Sequence, residues 1–144
     1  MTTSTDTSPS ISRITQAAVA FLKGLSLEQR ERATFDFDSA ERANWHYVPR
    51  PREGLPRDDM TLEQLGKAEA LIAAGLSAGG LNKAISIIQH ETILGEVETS
   101  EGTLRHNRLP DLYYFSVFGT PGTASPWGWQ VEGHHLSLNM TVVK

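Results

Sequence analysis

The chain has 144 residues, of which 39% are hydrophobic and 21% are charged, and its formal net charge is -4. This size and composition are typical of one globular domain with a hydrophobic core, and the acidic balance argues against nucleic acid as a partner. Because the chain has no cysteine, disulfides and thiolate metal sites within it are excluded, and any metal would need His, Asp or Glu ligands.

The N-terminus, Met1–Ser10, consists mostly of Ser and Thr. It lacks the basic start and apolar centre of a secretory signal, and no later apolar run approaches the roughly 20 residues that a membrane helix needs. We therefore expect a cytoplasmic protein that does not bind membranes. We predict a disordered lead-in over residues 1–10 and a single domain over residues 11–144.

Four segments have apolar residues at helical spacing. Their predicted bounds are Ile11–Gly24, Leu27–Ala33, Thr61–Gly75 and Leu81–Glu98. Capping boxes mark two of the starts, Ser26 with Gln29 and Thr61 with Gln64. We predict that the last two helices form an antiparallel hairpin. The fourth helix is apolar along two edges, which predicts that it is the most buried.

The stretch between the second and third helices, Asn44–Arg57, contains three prolines. Proline fixes its own φ and restricts the preceding residue, so this loop is predicted to be stiff and extended. It presents Arg50, Arg52 and Arg57, whose guanidinium groups suit contacts with carboxylate or phosphate. The alternative is a structural loop whose arginines pair with the protein's own Asp and Glu.

Three C-terminal segments have strand character: Leu112–Phe118, Trp127–Glu132 and His135–Val143. The first is apolar on both faces, which predicts a strand that is covered on both sides. Across the other two, the apolar positions change face near Gly133, and a regular strand cannot do this without a bend. We predict a β-bulge or kink at Gly133. The fold is therefore predicted to be α+β, an N-terminal helical layer packed on a small antiparallel sheet.

Several segments of the chain resemble segments of the uncharacterised family called domain of unknown function 3500, and they follow one another in the same order as in that family. They are Asn44–Arg50, Gly54–Pro56, Asp111–Pro121, Pro126–Trp129 and Glu132–Asn139. The resemblance implies a shared fold, with the Trp-His-Tyr and Gly-His-His phrases as hallmarks, and it supplies no reaction. Members of that family are usually about twice as long as this chain. The resemblance therefore also implies that the chain corresponds to the N-terminal half of a member, and that it associates through its last strand or with a C-terminal half.

The first functional hypothesis is a metal-dependent enzyme or metal-binding protein. Its ligands would be His46, His134 and His135, with Glu132 as a fourth ligand or a base. Imidazole ligands suit zinc, iron, copper and manganese, and an open coordination position would activate a bound water. The hypothesis requires the Trp45–Arg52 loop to lie near the Gly133 bend, and we expect it to do so.

Three alternatives remain open. One is a binding module for an anionic or sugar-like small molecule, which would use aromatic stacking and polar groups. Its candidate residues are Trp45, Tyr47, Arg50, Arg52, Trp127, Trp129 and Asn139. Another is a metal-free enzyme with His135 as general base, Glu132 beside it and an arginine clamp. The third is a structural half-domain without a site of its own.

Overall fold

The computed structural model describes residues 8–46, 50–102, 112–122 and 125–143, and it confirms an α+β fold. Within these residues the α-helices are α1 (Pro9–Lys23), α2 (Leu27–Ala33), α3 (Leu62–Gly75) and α4 (Ala78–Glu101). Most of the predicted lead-in lies outside the described residues. The last two residues of the lead-in belong to α1, which begins at Pro9. Proline suits the first position of a helix because its φ is already helical and because an N–H there would have no partner within the helix.

Local capping explains where the helices begin. Both predicted capping boxes are present, Ser26 with Gln29 at α2 and Thr61 with Gln64 at α3. The predicted start of the fourth helix was three residues late. Ser77 caps α4 by accepting a hydrogen bond from the Gly80 N–H, so residues 78–80, which the predicted bounds left outside the helix, form its first turn.

The sheet contains β1 (Thr34–Phe35), β2 (Leu55–Pro56), β3 (Tyr114–Phe118), β4 (Trp127–Gly133) and β5 (Leu136–Val142). The predicted antiparallel arrangement holds for β3, β4 and β5. Beyond it, β3 also pairs in parallel with β1 and antiparallel with β2, so the sheet is mixed. All residues of β3 are buried, as its apolar character on both faces predicted.

The bend at Gly133 is a hairpin turn rather than a bulge. His134 and His135 form the turn, and Gly133 pairs with Leu136 in a register that continues to Trp127 and Val142. With two residues in the turn, odd positions of β4 share a face with even positions of β5, which produces the change of face seen in the sequence. His135 has a φ of 63°, in the left-handed region that His enters more readily than most residues.

The two faces of the sheet differ in chemistry. One face carries Phe115, Trp129 and Val131, and it packs on the helical layer, where the Phe21 ring of α1 lies 5.9 Å from that of Phe115. By strand alternation, the opposite face carries the buried polar residues of β3 and β4. These are Ser116, Gln130 and Glu132. The connection between β1 and β2 contacts this polar face.

The prediction that the fourth helix is the most buried was wrong. Helix α3 packs mainly against α1, so α4 has a smaller share of the core. Ala84 and Ile88 of α4 are buried, whereas Ile93 is 57% exposed and Val97 is 45% exposed. None of the helices in the described ranges combines the length and hydrophobicity that crossing a membrane requires.

Candidate functional site

The polar face of the sheet buries an ionised pair, Glu132 of β4 with Arg52 of the proline-rich loop. The Arg52 Nε donates to Glu132 Oε1 at 3.0 Å, and the two side chains are 3% and 4% exposed. The His46 main-chain N–H donates to the same oxygen, and Gln130 Nε2 donates to Glu132 Oε2 at 2.8 Å. Both carboxylate oxygens are therefore hydrogen-bonded, which offsets the cost of burying the charge.

Arg52 also holds the loop in shape. Its guanidinium group donates to the main-chain carbonyls of Arg50 and His46, in addition to the carboxylate of Glu132. As expected, the loop lies beside the bend of the hairpin, since Glu132 directly precedes Gly133. Arg52 thus pairs with an acidic residue of the protein itself, as in the alternative of a structural loop.

A glycine lets the end of this loop approach the sheet. Gly54 has a φ of +99°, and a Cβ placed there would lie 2.5 Å from the Ser116 Oγ and 2.9 Å from the Phe115 carbonyl oxygen. A residue with a side chain would be strained here, both by the positive φ and by the close contacts of its Cβ with Ser116 and Phe115. The Gly-Leu-Pro phrase thus seats the loop against β3, where Leu55 and Pro56 form β2.

Beneath the loop is a cavity of about 200 Å³. Its lining residues are Glu41, Asn44, His46, Arg50, Pro51, Arg52, Glu53 and Glu132. The buried Arg52–Glu132 pair forms its inner end, and the exposed Arg50 and Glu53 lie at its rim. Trp45, which is 57% exposed, stands between two lining residues, Asn44 and His46.

A further polar atom is buried next to this cavity. Gln130 donates through Nε2 to Glu132 and to the Asn44 carbonyl, which fixes the orientation of its amide. Its Oε1 is buried and accepts no hydrogen bond from any described residue. An unpaired buried acceptor costs free energy, and this oxygen belongs to a side chain that supports Glu132 without lining the cavity itself.

The three histidines occupy different settings. His46 lines the polar cavity and docks on Glu132 through its main chain. His134 is buried, and its carbonyl accepts a hydrogen bond from the Tyr113 hydroxyl. The exposed His135 ring stacks on that of His134, with 3.5 Å between centroids. Within the described ranges, no group of three or more His, Cys, Asp or Glu could hold a metal ion, so the geometry does not gather these histidines into one metal site.

The other predicted site residues are also dispersed. Trp127 and Trp129 are 2% and 0% exposed, and both belong to the hydrophobic core. Asn139 donates to the Arg42 carbonyl at 2.6 Å, which ties β5 to the short 3₁₀ turn Ala40–Ala43. Tyr47 lies outside the described residues.

The predicted catalytic pair is separated as well. Glu132 lines the polar cavity, whereas His135 lines an apolar groove beside α4.

Sequence reasoning missed several residues of the cavity. Gln130, which donates to Glu132 from outside the lining, was recoverable, because it stands two positions before Glu132 on one strand and must share its face. Glu41, Asn44 and Glu53 gave no comparable signal, since they reach the cavity from irregular segments whose paths depend on tertiary contacts.

Comparison with known proteins places the chain in a family without providing an activity. A sequence model of the family described as "Protein of unknown function (DUF3500)" matches residues 7–144. No curated protein and no solved structure matches the chain. Inference about its function therefore depends on the geometry of its own residues.

Proposed function

Since the chain belongs to the DUF3500 family, whose description names no activity, we propose from its geometry that it binds a small, neutral, polyhydroxylated molecule of the sugar-like class. The ligand occupies the polar cavity between the proline-rich loop and β4. The observation that carries the proposal is the mixed lining of this cavity, in which exposed acceptors and donors surround a buried ion pair that is already complete.

The charge balance of the lining favours a neutral ligand over an anionic one. The cavity is lined by three carboxylates, Glu41, Glu53 and Glu132, and by two guanidinium groups, those of Arg50 and Arg52. Among these five groups the carboxylates outnumber the guanidinium groups by one. The Arg52 charge is also committed to Glu132 at 3.0 Å. An anion entering the cavity would meet Arg50 together with the repulsion of nearby carboxylates.

Hydroxyl groups match this lining because each is both a donor and an acceptor. Glu41 and Glu53 offer carboxylate oxygens, and Arg50 offers donors. Trp45 is exposed and lies in the chain between the lining residues Asn44 and His46, and the proposal places its indole against one face of the sugar ring. A few polar groups beside an aromatic wall are a usual arrangement in small-molecule sites.

Calorimetric titration of the full chain with glucose, galactose, mannose, xylose and glucose 6-phosphate tests this proposal. We expect at least one neutral sugar to bind more tightly than the phosphate, with little dependence on salt. Trp45→Ala should weaken that sugar about five-fold through lost aromatic contact. Arg50→Ala should weaken it about ten-fold through lost hydrogen bonds from a charged donor.

Arg30→Ala provides the matched control, because Arg30 is an exposed arginine on α2 that does not line the cavity. It should leave sugar affinity unchanged. If only glucose 6-phosphate bound, with affinity falling steeply as salt rises, the site would be an anion site. Equal affinities in Arg50→Ala and Arg30→Ala would place the sugar elsewhere.

A further inference from the structure

A second concave surface lies between α4 and the turn that joins β4 to β5. It is a groove of about 320 Å³, a volume within the range of small-molecule sites. Its lining residues are Ile87, His90, Ile93, Leu94, Val97 and His135. All but His135 come from one stripe of α4, at helical spacing.

The groove exposes apolar side chains that an amphipathic helix normally buries. Ile93 is 57% exposed and Val97 is 45% exposed, although both stand on an apolar edge of α4. In the described part of the chain, no segment covers them. An apolar concavity in water gains free energy when an apolar group fills it, at about 25 cal/mol per Å² removed from water.

The polar groups of the groove are of one kind. Its described lining includes two imidazoles, His90 and His135, and no carboxylate. An imidazole N–H donates a hydrogen bond, so each of these rings can bind an anionic oxygen. His135 is also held in place, since its ring stacks on His134 in a turn with a constrained backbone. A preorganised donor loses less entropy when it binds.

From these features we propose that the groove binds an amphiphilic carboxylate. Its carboxylate group meets His90 and His135, and its alkyl chain runs over Ile93 towards Val97. This site is separate from the polar cavity and does not depend on the sugar proposal.

Calorimetric titration with decanoate, below its micelle concentration, tests the inference on the full chain. We expect saturable binding of one decanoate per chain, at least ten-fold tighter than decyltrimethylammonium, which has the same alkyl chain with a cationic head. Ile93→Gln should weaken decanoate about ten-fold, and Val97→Gln should act in the same direction. The control Leu62→Gln makes the same type of change at a residue that is 89% exposed and outside the groove, and it should have no effect.

A double variant, His90→Gln with His135→Asn, tests the contact with the head group. Asn is chosen at position 135 because it tolerates the left-handed backbone found there. The double variant should reduce decanoate affinity about ten-fold and leave decyltrimethylammonium affinity unchanged. No saturable decanoate binding, or equal affinity in Ile93→Gln and Leu62→Gln, would overturn the proposal. So would equal affinity for the two head groups. Sedimentation that showed a dimer dissociated by Ile93→Gln would instead assign the groove to a second copy of the chain.

Discussion

The buried pair between Arg52 and Glu132 gives the sharpest prediction about stability. Replacing Glu132 with Gln keeps the shape of the side chain and removes its charge, so the Arg52 guanidinium stays buried without a counter-ion. The two side chains are 3% and 4% exposed, so solvent screens them little. At an effective dielectric constant of about 20, opposite charges about 4 Å apart attract by about 4 kcal/mol. This agrees with the roughly 3 to 5 kcal/mol lost when one partner of a buried pair is removed.

We therefore expect Glu132→Gln and Arg52→Met each to lower the free energy of unfolding by about 3 to 5 kcal/mol. The double variant leaves no unpaired charge and keeps an acceptor for the His46 N–H. Its loss should be close to that of one single variant, so the coupling energy should equal one single loss, about 3 to 5 kcal/mol. Urea denaturation followed by circular dichroism measures all four free energies.

An exposed ion pair provides the control for this cycle. Arg32 and Asp59 also form an ion pair, but their side chains are 46% and 44% exposed. Asp59→Asn should cost less than about 1 kcal/mol because water screens the pair. Two results would show that Glu132 is not the buried anchor of the loop. One is a double variant whose loss of unfolding free energy equals the sum of the two single losses. The other is a Glu132→Gln loss no larger than that of Asp59→Asn.

Other predictions concern close packing and backbone shape, and urea denaturation tests each of them. Gly133→Ala should lower the free energy of unfolding by about 3 kcal/mol or more, because a Cβ there would lie 2.4 Å from a ring carbon of the fully buried Tyr113. A loss below about 1 kcal/mol would show that the Tyr113 ring does not pack against Gly133. Tyr113→Phe should cost about 1 kcal/mol by removing a buried hydrogen bond to the turn, and an unchanged midpoint would argue against that bond. Gly54→Ala should cost at least about 2 kcal/mol because of its positive φ and the approach of Ser116. The control Gly66→Ala, in α3 with nothing within 4 Å of the added Cβ, should stabilise the protein by up to about 1 kcal/mol.

Local sequence signals predicted the local elements well. The Ser26–Gln29 and Thr61–Gln64 boxes are complete within four residues, so nothing distant is needed to predict the starts of α2 and α3. The change of apolar face at Gly133 correctly indicated a bend. A bulge and a two-residue turn both shift the alternation by one position, and the sequence alone could not separate them.

Features that depend on distant partners were not predictable in this way. Glu132 meets Arg52 across 80 residues of chain, and periodicity reports nothing about such a pairing. The exposure of α4 has the same origin. Its apolar edge is helical in the sequence, but packing of α3 against α1 leaves Ile93 and Val97 outside the core.

The fluorescence of the three tryptophans tests most directly whether a sugar-like ligand occupies the polar cavity and contacts Trp45. Trp127 and Trp129 are buried, whereas Trp45 is 57% exposed, so acrylamide should quench mainly Trp45. We expect the neutral sugar that binds to protect Trp45 from acrylamide in a saturable way, and in Arg50→Ala we expect about ten-fold more sugar to be needed for the same protection. Quenching of Trp45 that stayed constant while calorimetry recorded saturable sugar binding would contradict the proposed site.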